Sequence, residues 1–146
     1  MDSNDNASCS NDSYISSREE VRSYLDSVKM LVDEERWAIN NLPWKSKVNK
    51  TQLYLAENNI SDQDVANVIQ QLQVCNYSYT TNDYNSKFPG EKFWIFGKTM
   101  VMVDKEERLY IKLKIRTINS ENVLVMSFHP EKPTTEEGNL EFPYQD

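Results

Sequence analysis

The stretch "ERLYIKLKIRTINSENVLVMSFHP", residues 107–130, decides the fold of this chain. Apolar and polar residues alternate from Leu109 to Arg116, which is the two-residue period of a β-strand with one buried face. A second apolar run, residues 122–129, follows the turn sequence TINSE, so the two runs predict an antiparallel hairpin. A turn near Asn119 or Ser120 sets His129 opposite Tyr110.

A third strand is predicted just before this hairpin, at "FWIFGKTMVMV", residues 93–103. The three strands form an antiparallel meander, and Gly97 within the first one indicates a bulge or a close backbone approach. In the middle strand the odd-numbered apolar residues face the helices. Tyr110, Lys112, Lys114 and Arg116 point to the opposite, solvent side of the sheet.

Helices are predicted before the strands. A capping-box pattern, Ser17 to Glu20, starts a helix over residues 18–34. Further helices cover residues 50–57 and the segment after Ser61, whereas residues 37–49 form a connector or short strand anchored by Trp37 and Trp44. Residues 76–92 read as a polar loop. The fold class is α+β, with N-terminal helices packed on a C-terminal antiparallel sheet of at least three strands.

Two parts of the chain differ in composition. Residues 1–16 are rich in Ser, Asn and Asp and are predicted to be a disordered polar tail, and residues 17–146 are predicted to be a single domain. The first residues lack the positive end and apolar block of a secretory signal, and no apolar run approaches the length of a membrane span. We therefore expect a cytoplasmic protein without a membrane partner.

The net charge of -7 and the pI near 4.8 argue at first against a nucleic-acid-binding protein. Both ends of the chain are acidic, but residues 92–116 carry seven cations against three carboxylates, about +4. These cations are Lys92, Lys98, Lys105, Arg108, Lys112, Lys114 and Arg116. Such a local patch attracts anions at close range. An ordinary solvated sheet face is the alternative.

Few cofactor classes fit the sequence. Cys9 and Cys75 lie in no CxxC pair and share no motif with histidine, which argues against a zinc site. With only three glycines, the chain also lacks a phosphate-binding loop or a dinucleotide fingerprint. We expect no cofactor and no metal.

Metal-free RNA cleavage is the chemistry that this sheet face suggests. It requires one group to take the proton from the 2′-OH, another to protonate the leaving 5′-oxygen, and cations to stabilise the phosphorane. His129, Tyr110, Lys112 and either Lys98 or Arg116 can fill these roles. Each residue also has a structural explanation: a histidine that ends a strand, a tyrosine that fills a sheet, and lysines that keep a sheet surface soluble.

Four segments carry a resemblance to a known family: "GEKFWIFGK", "LYIKLKIR", "VLVMSFHPEKP" and "LEFPY". Together they resemble the MqsR-like toxins of bacterial toxin–antitoxin modules over roughly residues 18–144. The resemblance implies that residues 17–146 form an MqsR/RelE-like domain that cleaves mRNA, free or on the ribosome, without a metal. It also implies a cognate antitoxin protein that silences this activity.

The resemblance also implies roles for individual residues. Tyr110 with Lys112, and His129 after Ser-Phe, match the catalytic positions of the family, and Lys98 is a further catalytic candidate. Trp94 matches an aromatic residue that could stack on a base. The remaining strand cations, Lys114, Arg116 and Lys92, are expected to bind RNA phosphates. The sequence departs from the better-known branch at Ile95, where that branch has glutamine, and at Ser78, the nearest residue to a loop lysine.

Two other functions stay open. The chain could be a non-enzymatic acidic inhibitor or regulatory binding protein from a phage or mobile element, for example one that mimics nucleic acid. It could also be a structural interaction domain. In addition, the acidic ends could cover the basic face until RNA displaces them.

Overall fold

A computed structural model describes residues 13–42, 49–84, 87, 90–102, 104–117, 119–135 and 137–145. Over these ranges the fold is α+β, with three α-helices and a six-stranded, mostly antiparallel sheet. The helices are α1 (Arg18–Asp33), α2 (Lys50–Glu57) and α3 (Asp62–Gln70). The strands are β1 (Ser13–Tyr14), β2 (Trp37–Ile39), β3 (Tyr77–Asn82), β4 (Lys92–Met102), β5 (Lys105–Arg116) and β6 (Asn122–Pro130).

The helix boundaries follow from their capping residues. At the start of α1 the Ser17 side chain accepts a hydrogen bond from the Glu20 amide, and the Glu20 carboxylate accepts one from the Ser17 amide. Ser61 and Asp64 form the same reciprocal pair at α3. These bonds satisfy amides that have no partner within the helix. The predicted helices 18–34 and 50–57 are confirmed.

The sheet has the strand order β1-β3-β4-β5-β6-β2. All pairs are antiparallel except β2 with β6, which is parallel. The predicted meander of β4, β5 and β6 forms its centre. The register is regular from β4 to β5, whereas between β5 and β6 it shifts once, after the pair Lys112 and Ser127. This shift is a β-bulge, which leaves His129 on the same face as Lys112.

The helices cover one face of the sheet, which we call the helix face. Leu109, Ile111 and Leu113 of β5 are fully buried there in the main core, together with apolar residues of α1 and α3. The predicted orientation of the middle strand is therefore confirmed. A second, smaller core lies on the other face, which we call the cation face. It consists of Ile95, Tyr110 and Leu140, with Tyr79, Phe93 and Phe142 around them.

A C-terminal segment covers part of the cation face. Its described residues, 131–135 and 137–145, include Leu140 and Phe142, whose side chains lie over Gly97. A Cβ atom at Gly97 would come within 2.8 Å of both side chains. The register of β4 shows no bulge at this glycine. The close approach predicted at Gly97 is therefore present, but side chains of the C-terminal segment make it rather than another backbone.

Two predictions about the elements were wrong. Residues 77–82 form β3 rather than a loop, and residues 13–16 of the predicted disordered tail are ordered. Ser13 and Tyr14 pair with β3, and the buried Ser16 hydroxyl hydrogen-bonds to Thr80 at 2.8 Å. The rest of that tail lies outside the described residues, as does Trp44. Tyr and Thr favour strands, which explains why so polar a sequence as YSYTTN joins the sheet.

Candidate functional site

The centre of the candidate site is the pair of Tyr110 and His129. These residues are direct partners between β5 and β6, as the alternation and turn position predicted. Their rings are stacked, with centroids 5.6 Å apart and planes inclined by 20°. Because the bulge follows the pair Lys112 and Ser127, Lys112 lies one pleat further along the same face. The sheet therefore brings together the imidazole, the phenol and one ammonium group of the predicted catalytic set.

The prediction that the cation face is open to solvent, however, is wrong. Tyr110 and His129 are each only 3% exposed, and Lys114 is equally buried. The face carries an apolar cluster of its own, and Leu140 and Phe142 of the C-terminal segment pack onto it. Arg108 fixes this segment by donating to the Leu140 carbonyl at 2.7 Å and by pairing with Glu131 at 3.0 Å.

The contacts of His129 define its proton chemistry. Nδ1 lies 2.9 Å from the Pro130 carbonyl oxygen, which can only accept, so Nδ1 carries the hydrogen. Nε2 lies 3.7 Å from Glu137 Oε1, and the same oxygen accepts a hydrogen bond from Lys50 Nζ at 2.9 Å. Burial lowers the pKa of His129 below 6.5; the Pro130 carbonyl and Glu137 oppose this shift, while Lys132 and Lys50 add to it. The imidazole is thus neutral at pH 7, with the lone pair on Nε2.

The two lysines that follow on β5 differ in their surroundings. Lys112 is half-buried, and its ammonium group lies 4.2 Å from the centroid of the Phe93 ring. Lys114 is buried between two carboxylates, with Nζ 2.5 Å from Asp83 and 2.8 Å from Glu91. Its charge is used within the fold. The prediction that Lys114 binds RNA phosphates is therefore wrong for this conformation.

Three predicted residues lie on the helix face instead. Strand alternation puts Trp94 and Lys98 opposite the core residues Leu113 and Leu109. Trp94 stacks on Tyr24 of α1 with a centroid distance of 4.1 Å, and Lys92 Nζ lies 5.1 Å from the centroid of Tyr14. None of the three can reach the group around His129, so their predicted roles beside it are wrong. Arg116 is exposed at the end of β5, on the cation face.

Sequence reasoning missed the charged partners of the site. Glu137 and Lys50 approach His129 from the C-terminal segment and from α2, while Asp83 and Glu91 meet Lys114 from the ends of the β3–β4 connection. Lys50, Asp83 and Glu91 are far from their partners in sequence, and none of the four follows a periodic pattern. The pairing of β3 with β4 brings Asp83 and Glu91 together beside the one ammonium group of Lys114.

No family model, no curated protein and no solved structure matches this chain. The resemblance to the MqsR-like toxins therefore stays a prediction from the motifs. None of the helices in the described ranges combines the length and the apolar composition that a membrane span requires.

Proposed function

We propose that this protein is a metal-independent endoribonuclease, the toxin of a type II toxin–antitoxin module with a RelE-like fold. The observation that carries the proposal is the neutral His129, whose ring stacks on Tyr110 on the same face of the sheet as Lys112. In this assignment His129 takes the proton from the 2′-OH of RNA and Tyr110 donates one to the leaving oxygen. Lys112 stabilises the charge of the phosphorane.

RNA can reach His129 only when the start of the C-terminal segment moves. Residues 132–135 are exposed. They are held at one end by Glu131, which pairs with Arg108, and at the other by Glu137, which pairs with Lys50. The Lys50 side chain is 56% exposed, so this pair is worth little in free energy. Leu140 packs with Tyr110, so it must move as well before Tyr110 can meet RNA, whereas the contact of Phe142 with Gly97 can stay in place.

The two faces of the sheet provide a matched test. Replacing Lys112 by Met should lower RNA cleavage by about 10²-fold, because it removes the cation beside the proposed scissile phosphate. Lys98→Met is the control, since Lys98 lies on the helix face. Both variants and the intact protein are expressed in a bacterial host, and new RNA 5′ ends are mapped. Equal cleavage by the two variants would contradict the assignment.

A second function is favoured by the surface charge of the helix layer. The exposed residues of α1 and the turn after it include Glu19, Glu20, Asp26, Asp33, Glu34 and Glu35, whereas Arg22 is the exposed cation of that stretch. Asp62 and Asp64 at the start of α3 are also exposed. Such a surface fits a basic groove of a partner that normally holds nucleic acid. The alternative function is therefore a non-enzymatic acidic inhibitor.

The two functions respond differently to surface mutations. If the protein is an acidic inhibitor, neutralising Glu19, Asp26 and Asp33 to the corresponding amides should abolish its effect on the growth of a host that produces it. The reason is that these three carboxylates would contact the basic partner. Under the nuclease proposal the same triple variant should retain its effect. Loss of growth inhibition by the triple variant, in a protein for which no new RNA 5′ ends are found, would favour the inhibitor.

A further inference from the structure

Ser127 lies on the cation face beside the group around His129. It pairs directly with Lys112, just as His129 pairs with Tyr110, so the two pairs follow each other along β5 and β6. Paired residues of neighbouring strands have Cβ atoms about 5 Å apart, and successive residues on one face of a strand are about 7 Å apart. A phosphate group that lies between the two pairs therefore comes within reach of Ser127 as well as His129.

A β-bulge is the reason that Ser127 faces this way. Val123 and Val125 are buried in the main core on the helix face, and in a regular strand Ser127 and His129 would follow them there. The register of β6 shifts at Met126, which has no partner in β5, and the residues after it are turned to the other face. Bulges of this kind redirect side chains and are frequent beside active sites. The bulge therefore presents the Ser127 hydroxyl on the same face as the imidazole.

The two pairs differ in their access to solvent. Tyr110 and His129 are each 3% exposed. Lys112 and Ser127 are only half-buried. Within the part of the chain that the structure describes, the Ser127 hydroxyl has no hydrogen-bond partner in the protein. Hydroxyl groups are normally bonded to protein or to water, so this one is available to a ligand that arrives from solvent.

We propose that Ser127 and Lys112 together bind a phosphate group of the RNA, with the Ser127 hydroxyl donating a hydrogen bond to a non-bridging oxygen. Serine hydroxyl groups and lysine ammonium groups are both common partners of phosphate oxygens. The pair is accessible while the C-terminal segment covers Tyr110 and His129, so RNA can bind here before that segment moves. The identity of the ligand rests on the proposed function, whereas the site follows from the register and the exposure of the two residues.

The surrounding charges set the expected strength of binding. The chain has a net charge of -7, and Asp83 and Glu91 surround Lys114 one pleat beyond Lys112. Both features oppose an anion, so we expect a Kd for a short RNA on the order of 10⁻⁴ M that rises further with added salt.

Binding of an RNA that cannot be cleaved tests the site. The probe is a fluorescently labelled oligomer of 2′-O-methyluridine, whose blocked 2′-oxygen cannot attack the phosphate, and anisotropy at about 50 mM salt measures its Kd. Ser127→Ala should weaken binding by about tenfold, because a hydrogen bond to a charged group is lost. Ser127→Thr keeps the hydroxyl and should bind like the original protein. Ser127→Asp should bind more weakly than Ser127→Ala, because its carboxylate repels the phosphate.

Ser23 of α1 provides the matched controls. It is exposed on the helix layer, so Ser23→Ala and Ser23→Asp make the same changes away from the cation face. Both variants should change the Kd by less than about twofold, because salt screens a distant surface charge. Urea unfolding of each variant checks that the fold stays intact.

Three results would overturn the inference. The first is an original protein that does not bind the probe at about 1 mM protein. The second is Ser127→Ala that binds like the original protein, and the third is Ser127→Thr that binds as weakly as Ser127→Ala. Cleavage of unmodified RNA is measured separately. Binding that depends on Ser127 without any cleavage would support this site and contradict the nuclease proposal, whereas cleavage with binding that ignores Ser127 would contradict this site alone.

Discussion

Replacing Lys114 by Met should lower the free energy of unfolding by about 3–5 kcal/mol. The side chains of Lys114, Asp83 and Glu91 are only 4%, 7% and 5% exposed, so water cannot solvate the two carboxylates that the substitution would leave behind. Removing one partner of a buried ion pair costs more than the pair itself contributes, because an uncompensated charge stays in the interior. Urea unfolding, followed by tryptophan fluorescence, measures this loss.

Two controls separate the charge effect from the loss of packing. Lys112→Met makes the same change of side chain one pleat away at a half-buried position, and should cost less than about 1 kcal/mol. Combining Lys114→Met with Asp83→Asn and Glu91→Gln removes all three charges and should recover a large part of the lost stability. If the triple variant is no more stable than Lys114→Met alone, the buried charges are not the cause.

The central hairpin was predictable because its signal is local and periodic. Alternation in β5 and a short turn suffice to pair Tyr110 with His129, and the structure has this register. The same alternation also shows that Lys98 shares a face with Trp94 and Phe96, both of which pack in or against the main core. Assigning Lys98 to the catalytic face was therefore an error that the sequence itself could have corrected.

The burial of the cation face was not predictable in the same way. The C-terminal segment has no period, and its contacts with Gly97, Arg108 and Lys50 connect residues that are far apart in sequence. Likewise, nothing near Lys114 in the sequence indicates that Asp83 and Glu91 neutralise it. Alternation determines which way a side chain points, whereas irregular segments determine whether solvent reaches it.

The polar composition of residues 77–82 predicts a loop, whereas the structure has β3 there. The hydroxyl groups of this strand are satisfied inside the protein, where the Tyr77 hydroxyl donates to or accepts from Thr80 at 2.6 Å, and Thr80 also contacts Ser16. A buried polar strand is stable when its hydroxyl groups bond to one another. The polar residues of β3 therefore belong to a buried hydrogen-bond network.

Replacing His129 by Gln should lower RNA cleavage by about 10²–10⁴-fold if the nuclease proposal is correct, because glutamine cannot accept the 2′-OH proton. The pKa of His129 is lowered below 6.5, mainly by burial, so the base is already neutral at pH 7. Cleavage by the original protein should fall as the pH drops through this lowered pKa. Single-turnover cleavage of an RNA oligonucleotide between about pH 4.5 and 8 measures the profile.

Protein stability should follow the same titration, because the lowered pKa of His129 is a property of the folded state. The folded protein binds the proton on His129 less readily than the unfolded chain does, so this residue makes stability fall as the pH drops below 6.5. His129→Gln should remove that dependence. Glu137→Gln keeps the base but removes the carboxylate that raises the pKa of His129, so the acid limb of cleavage should move to lower pH. An unchanged limb in Glu137→Gln, or full cleavage by His129→Gln, would rule out His129 as the general base.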